Sequence, residues 1–135
     1  DLLIMAAAPA DFRPAEASDE KLRRSGDGID LELTPTEDIL AGLSSRARAE
    51  QTLIGFAAEY GGDAEVRARE KLARKRLDMV VMNDVSDPRI GFDSSDNAVS
   101  LVTGSGTVAV GLADKREIAD RILDCAVDLH RKKNV

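Results

Sequence analysis

The sequence predicts an open α/β fold, Rossmann-like and three-layered, in which helices cover a mostly parallel sheet that ends in a C-terminal β-hairpin. Three observations carry this. The runs at 2–8, 52–58 and 79–82 are apolar without polar alternation, as in strands buried on both faces. Segments with helical spacing separate them. Finally, the apolar stretches 99–101 and 107–110 flank Gly104-Ser105-Gly106, which reads as a hairpin.

In chain order, the run at 2–8 breaks at Pro9, as a buried strand does where its carboxyl end opens into a loop. Residues 11–28 are polar, with Pro14, Gly26 and Gly28 as punctuation, and read as one long loop. Ile29, Leu31 and Leu33 alternate with Asp30 and Glu32 as a short half-exposed strand, and Thr34-Pro35-Thr36-Glu37-Asp38 begins a helix running to about Ala49. Beyond the strand at 52–58, Gly61-Gly62-Asp63 leads into a helix over 64–76, with Asp63 as its N-cap. The final helix spans 115–131 and presents Ile118, Ile122, Ala126 and Leu129 to the sheet.

At 43% hydrophobic and 33% charged, 135 residues are enough for one domain with a core. One cysteine, Cys125, excludes an intramolecular disulfide, and no cysteine-histidine spacing fits a zinc site. No run approaches the about 20 apolar residues that span a bilayer, so a cytoplasmic protein without membrane association is expected. A net charge of -6 argues against nucleic-acid binding, yet residues 67–76 hold six cations against the single acid Glu70. The chain enters a hydrophobic strand directly from Asp1, which predicts a piece of a longer protein.

The candidate chemistry clusters at predicted strand ends, where open α/β sheets bind ligands. Lys71 and Lys75 lie four apart, with Arg67 extending the row; they would hold the phosphates of a nucleotide or form a solvated face. Ala6-Ala7-Ala8-Pro9-Ala10-Asp11 offers small side chains and one carboxylate for a ribose, a base or a metal, or else a turn with a capping aspartate. Lys21-Leu22-Arg23-Arg24 would fold over a phosphate or remain solvated. Phe56 fits a nucleobase platform or core packing, and Asn83-Asp84-Val85-Ser86 adds polar groups at the same edge. His130 is read as a partner of terminal helix carbonyls and Cys125 as a small buried hydrophobe, neither catalytic.

In order, the Ala-Ala-x-Ala-Asp strand end, the basic loop, Asp-Ile-Leu, Gly-Phe-Ala-Ala-Glu, the lysine helix and Asn-Asp-Val resemble the phosphopantothenate-cysteine ligases, over essentially the whole chain. Gly91-Phe92, Asp96-Asn97 and the last helix complete the pattern. The resemblance implies a CTP-dependent enzyme, assisted by Mg2+, that converts 4'-phosphopantothenate into an acyl cytidylate attacked by cysteine. It places Met5, Ala6 and Ala7 along the nucleotide, Asp11 on cytidine, and backbone groups of Glu37, Asp38, Ile39 and Leu40 beside it. Phe56 would pack near the nucleotide, Lys71 and Lys75 would hold its phosphates, and Lys21 would sit on a catalytic flap closing over the acyl phosphate. The metal ligands are not implied.

Such enzymes are often fused to a flavin-dependent decarboxylase, so FMN is expected only where that domain lies upstream. They form homodimers or higher homo-oligomers, with the hairpin as a contact here. They also carry an N-terminal half, with a glycine-rich nucleotide loop, that this chain is expected to lack. This chain departs from the pattern with Arg23-Arg24 in place of two flap lysines, with Pro9, and with Tyr60. The competing expectation is a nucleotide-binding module without complete activity. A dinucleotide oxidoreductase is disfavoured, since no Gly-x-Gly-x-x-Gly follows a strand.

Overall fold

The computed structural model describes residues 1–24, 26, 28–85 and 96–135, so Ser86 and Gly91-Phe92 lie outside the described residues. In chain order the elements are β1 (Leu2–Met5), β2 (Phe12–Pro14), β3 (Leu33–Pro35), α1 (Ile39–Arg46), β4 (Thr52–Glu59), α2 (Ala64–Arg74), β5 (Met79–Asp84), β6 (Asp96–Thr103), β7 (Gly106–Asp114) and α3 (Lys115–Lys133). Five strands form one sheet in the order β1-β4-β5-β6-β7. The pairs β1/β4 and β4/β5 are parallel, and β6 and β7 close the sheet as an antiparallel hairpin, as the sequence predicts.

Alternation along β4 divides the core into two layers. Leu53 and Ala57 pack with Leu40 of α1, Ala64 and Ala68 of α2, and Val80 and Met82 of β5. Ile54 faces the other way, joining Met79, Val81, Val99 and Leu101 against Ile118, Ile122 and Ala126 of α3. The three layers are therefore α1 and α2, the sheet, and α3. Among the described residues, no helix is long and apolar enough to cross a membrane.

Several boundaries differ from expectation. The first strand ends at Met5 rather than Ala8, because residues 6–10 leave the sheet to line a cleft. The long loop contains β2, which pairs antiparallel with β3. Flanking hydrogen bonds close this ribbon: Thr36 N–H to Asp11 O (2.9 Å) and Ala15 N–H to Glu32 O (2.9 Å). The register pairs Phe12 with Pro35 and Pro14 with Leu33, putting both prolines at the ribbon's ends, where a missing N–H is tolerated. The strand expected at Ile29 to Leu33 thus begins only at Leu33, and Ile29, Leu31 and Leu33 are all exposed.

The first helix starts at Ile39 and ends at Arg46, three residues short of Ala49; Asp38 is its N-cap, accepting from Ala41 N–H at 3.1 Å. Asp63 occupies the N-cap position of α2, but its side chain makes no capping hydrogen bond. That helix ends two residues before Arg76, in a Schellman motif: Leu77 N–H bonds Leu72 O (3.0 Å) and Arg76 N–H bonds Ala73 O (3.2 Å). Arg76 takes the left-handed position at φ 49°. Helix α3 is capped by Asp114, whose Oδ1 accepts from Arg116 and Glu117 N–H, and it runs on to Lys133.

His130 corrects a second expectation. Rather than meeting terminal carbonyls, its Nδ1 lies 3.0 Å from the Oγ1 of buried Thr52 at the start of β4. Lys133 reaches the same edge of the sheet and pairs with Asp78 at 2.8 Å. Cys125 is half-buried against the α3-side core, which raises its thiol pKa through desolvation.

Candidate functional site

A cleft of about 410 Å³ opens at the carboxyl ends of β1, β4 and β5. Met5, Ala6, Ala7 and Asp11 line one wall as the chain leaves β1. Glu37, Asp38, Ile39 and Leu40 bring the start of α1 to a second wall, tied to the first by Thr36, whose Oγ1 donates to Ala10 O. Phe56, Ala57 and Ala58 end β4, and Lys71 and Lys75 project from α2. Every site residue that the family resemblance implies therefore lines one cleft, except Lys21, which is exposed on the β2–β3 connection and is not among the lining residues.

The two lysines differ in their partners. Lys71 donates to Phe56 O at 3.1 Å, a neutral acceptor, and its pKa is lowered by burial and by the neighbouring Lys75 charge, with Glu59 opposing. Lys75 forms an ion pair with both carboxylate oxygens of Asp38, at 2.9 and 2.8 Å. The hydrogen bond from Lys75, followed by that from Ala41 N–H, holds the Asp38 carboxyl below its ordinary value despite some desolvation.

Arg67 does not join the lysine row in the cleft. Its guanidinium donates to Glu59 Oε2 (2.6 Å) and to Tyr60 O (2.6 Å), which consumes its charge at the end of β4. The Phe56 side chain packs with the α3-side core, so its carbonyl rather than its ring is the group engaged by Lys71.

Pro9 and Asn83, which the sequence reading puts in motifs at this edge of the sheet, line the cleft, and so does Thr36, which it leaves out of the site. The Asn-Asp pair at the end of an apolar strand was a usable signal for Asn83, whose Oδ1 is buried without a hydrogen-bond partner among the described residues. Nothing local marks Thr36, which enters only because the ribbon brings residue 36 back beside residue 10. The cleft is lined by the carboxylates of Asp11, Glu37 and Asp38 and the ammonium groups of Lys71 and Lys75. Among the described residues, no group of three or more His, Cys, Asp or Glu side chains is placed to hold a metal ion.

A family model described as "DNA/pantothenate metabolism flavoprotein C-terminal domain" matches residues 1–129. The chain is 40% identical over 125 residues to the coenzyme A biosynthesis bifunctional protein CoaBC of Vibrio vulnificus strain CMCP6, covering 91% of this chain and 31% of that protein. To the protein of the same name from Escherichia coli K12 it is 34% identical over 137 residues, covering 99% of this chain and 34% of that one. Among solved structures, the C-terminal domain of coenzyme A biosynthesis bifunctional protein CoaBC superposes with a TM-score of 0.68 at 33% identity, covering 92% of this chain and 52% of that one. The chain thus spans about a third of these curated relatives and about half of the solved domain. With a family model covering nearly all of its length and a matching fold, the chain belongs to the DNA/pantothenate metabolism flavoprotein C-terminal domain family.

Proposed function

We propose that this chain is the CTP-binding part of a phosphopantothenate-cysteine ligase acting in coenzyme A biosynthesis. The observation that carries the reading is the convergence of residues from Met5 to Lys75, drawn from four separate segments, on one cleft with two lysines at its wall. A nucleoside triphosphate fits this combination. Small side chains at Ala6 and Ala7 let a nucleoside approach the backbone, and Lys71 and Lys75 offer charge to phosphates.

In the reaction, a carboxylate oxygen of 4'-phosphopantothenate bonds to the α-phosphorus of CTP, and the bond to the leaving pyrophosphate breaks. The cysteine amine then attacks the acyl carbon, CMP leaves, and the amine loses a proton. This chain's part is to orient the nucleotide and stabilise charge developing on the departing phosphates. Lys21, on the β2–β3 connection, would close over the acyl phosphate and exclude water. Mg2+, when bound with CTP, supplies charge neutralisation; among the described residues no group of three or more His, Cys, Asp or Glu side chains is placed to hold it, so the nucleotide's phosphates would be its main ligands. Cytoplasmic location, assembly as a homodimer or higher oligomer, and FMN in a fused decarboxylase domain belong to the same proposal.

Calorimetric titration with magnesium CTP and magnesium ATP tests it, using the wild type and a Lys71→Ala/Lys75→Ala variant. Micromolar CTP binding that the variant loses, with ATP much weaker, is expected. A folded protein that binds neither nucleotide would sink the proposal. The alternative, a nucleotide-binding module without complete activity, draws on the chain's covering 52% of the solved domain. Binding without amide formation when the chain is extended to the length of its relatives would favour it.

A further inference from the structure

Two ammonium groups face the cleft, yet among the described residues only Lys75 has an ion-pair partner there, while Lys71 donates to a carbonyl. The Lys75 side chain is 13% exposed and is gripped by both oxygens of Asp38, whose own side chain is 49% exposed. Asp38 has a second source of compensation. Its Oδ1 also accepts from Ala41 N–H, and it caps the positive end of α1. The pair is therefore asymmetric: Lys75 depends on an anion in the cleft, whereas Asp38 is served by helix and water without Lys75. An incoming phosphate offers Lys75 a replacement for the Asp38 carboxylate that holds it, and Asp38 lies close enough to repel that phosphate if it keeps its grip.

We propose that the Asp38 side chain is a resident counter-ion for Lys75, a positioning residue that keeps the ammonium aimed at the cleft and is displaced from it by the ligand's phosphates. The proposal rests on the nucleotide reading above and adds to it a role for the Asp38 carboxylate, where the family resemblance implied only backbone groups. Its consequence is that Asp38 weakens phosphate binding. Each phosphate must take Lys75 from an existing partner, so weakly charged anions compete poorly.

The test is a double-mutant cycle of wild type, Asp38→Asn, Lys75→Met and the double variant, titrated by calorimetry with magnesium CTP and with inorganic tripolyphosphate. Asparagine preserves a cap for Ala41 N–H and removes only the charge, and thermal unfolding confirms that each variant folds. Asp38→Asn is expected to bind both probes about threefold to tenfold more tightly, a gain that disappears when Lys75 is methionine. A merely structural aspartate would instead give weaker or unchanged binding. Unchanged or weaker binding by Asp38→Asn, or a gain that survives in the Lys75→Met background, overturns the proposal. If the wild type does not bind CTP, the nucleotide reading fails. The place-holder role then stands only if Asp38→Asn gains tripolyphosphate binding through Lys75, and falls if it does not.

Discussion

Leu40 occupies the space that a side chain at Gly55 would need: a Cβ added there would lie 2.6 Å from Leu40 Cδ2 and 3.1 Å from Leu77 Cδ1. The close approach seats Leu40 against β4, two residues along from Asp38, which pairs with Lys75. Gly55→Ala should push the Leu40 side chain out of its packed position, destabilising the fold by about 1–3 kcal/mol and weakening nucleotide binding as well. Urea denaturation together with CTP titration checks both parts, and unchanged stability would show that the Leu40 side chain yields without cost.

Lys71 has a folded-state pKa below its unfolded value, chiefly through burial and then through Lys75. Between those two values the unfolded chain binds more protons, so stability should rise with pH across that window. Nucleotide affinity should move the other way, falling as pH climbs through the folded pKa and the ammonium is lost. Lys71→Arg keeps its charge and should flatten that slope; an equally steep slope in this variant would remove Lys71 as its origin.

Arg76 holds a left-handed conformation at the end of α2, where glycine is the unstrained choice. Arg76→Gly should therefore stabilise the protein by about 1 kcal/mol, read as a higher Tm. A lower Tm would mean that the arginine side chain contributes more than its backbone costs.

Asp78 serves two partners at the amino edge of the sheet. Its Oδ2 accepts from Leu53 N–H at 2.8 Å, and its carboxylate pairs with Lys133. Asp78→Ala strips the acceptor from the backbone of a buried strand residue and should cost about 2 kcal/mol in chemical denaturation. Lys133→Met, which removes both this ion pair and the Lys133 Nζ hydrogen bond to Gln51 O (2.7 Å), should cost about 1 kcal/mol, of which only the ion-pair part is lost in high salt.

Elements whose burial is written in local spacing are legible without the fold. The unbroken apolar runs at β4 and β5 made them central strands, and Ile118, Ile122 and Ala126, four apart, set the buried stripe of α3. Such patterns need only neighbours two to four residues away. Family-level motifs added the members of the cleft, though not their partners.

The partner of each charged side chain, by contrast, depends on how the chain folds back on itself. Lys75 meets Asp38 across 37 residues, Arg67 turns from the cleft to Glu59, and His130 reaches Thr52 across 78 residues. The β2–β3 ribbon likewise exists because residues 12–14 and 33–35 meet at the ends of a long connection, not because either is a convincing strand alone. A side chain's neighbour along the chain follows from helix and strand geometry. Its neighbour across the chain depends on which loops close and which helices pack, and no periodicity in the sequence encodes that.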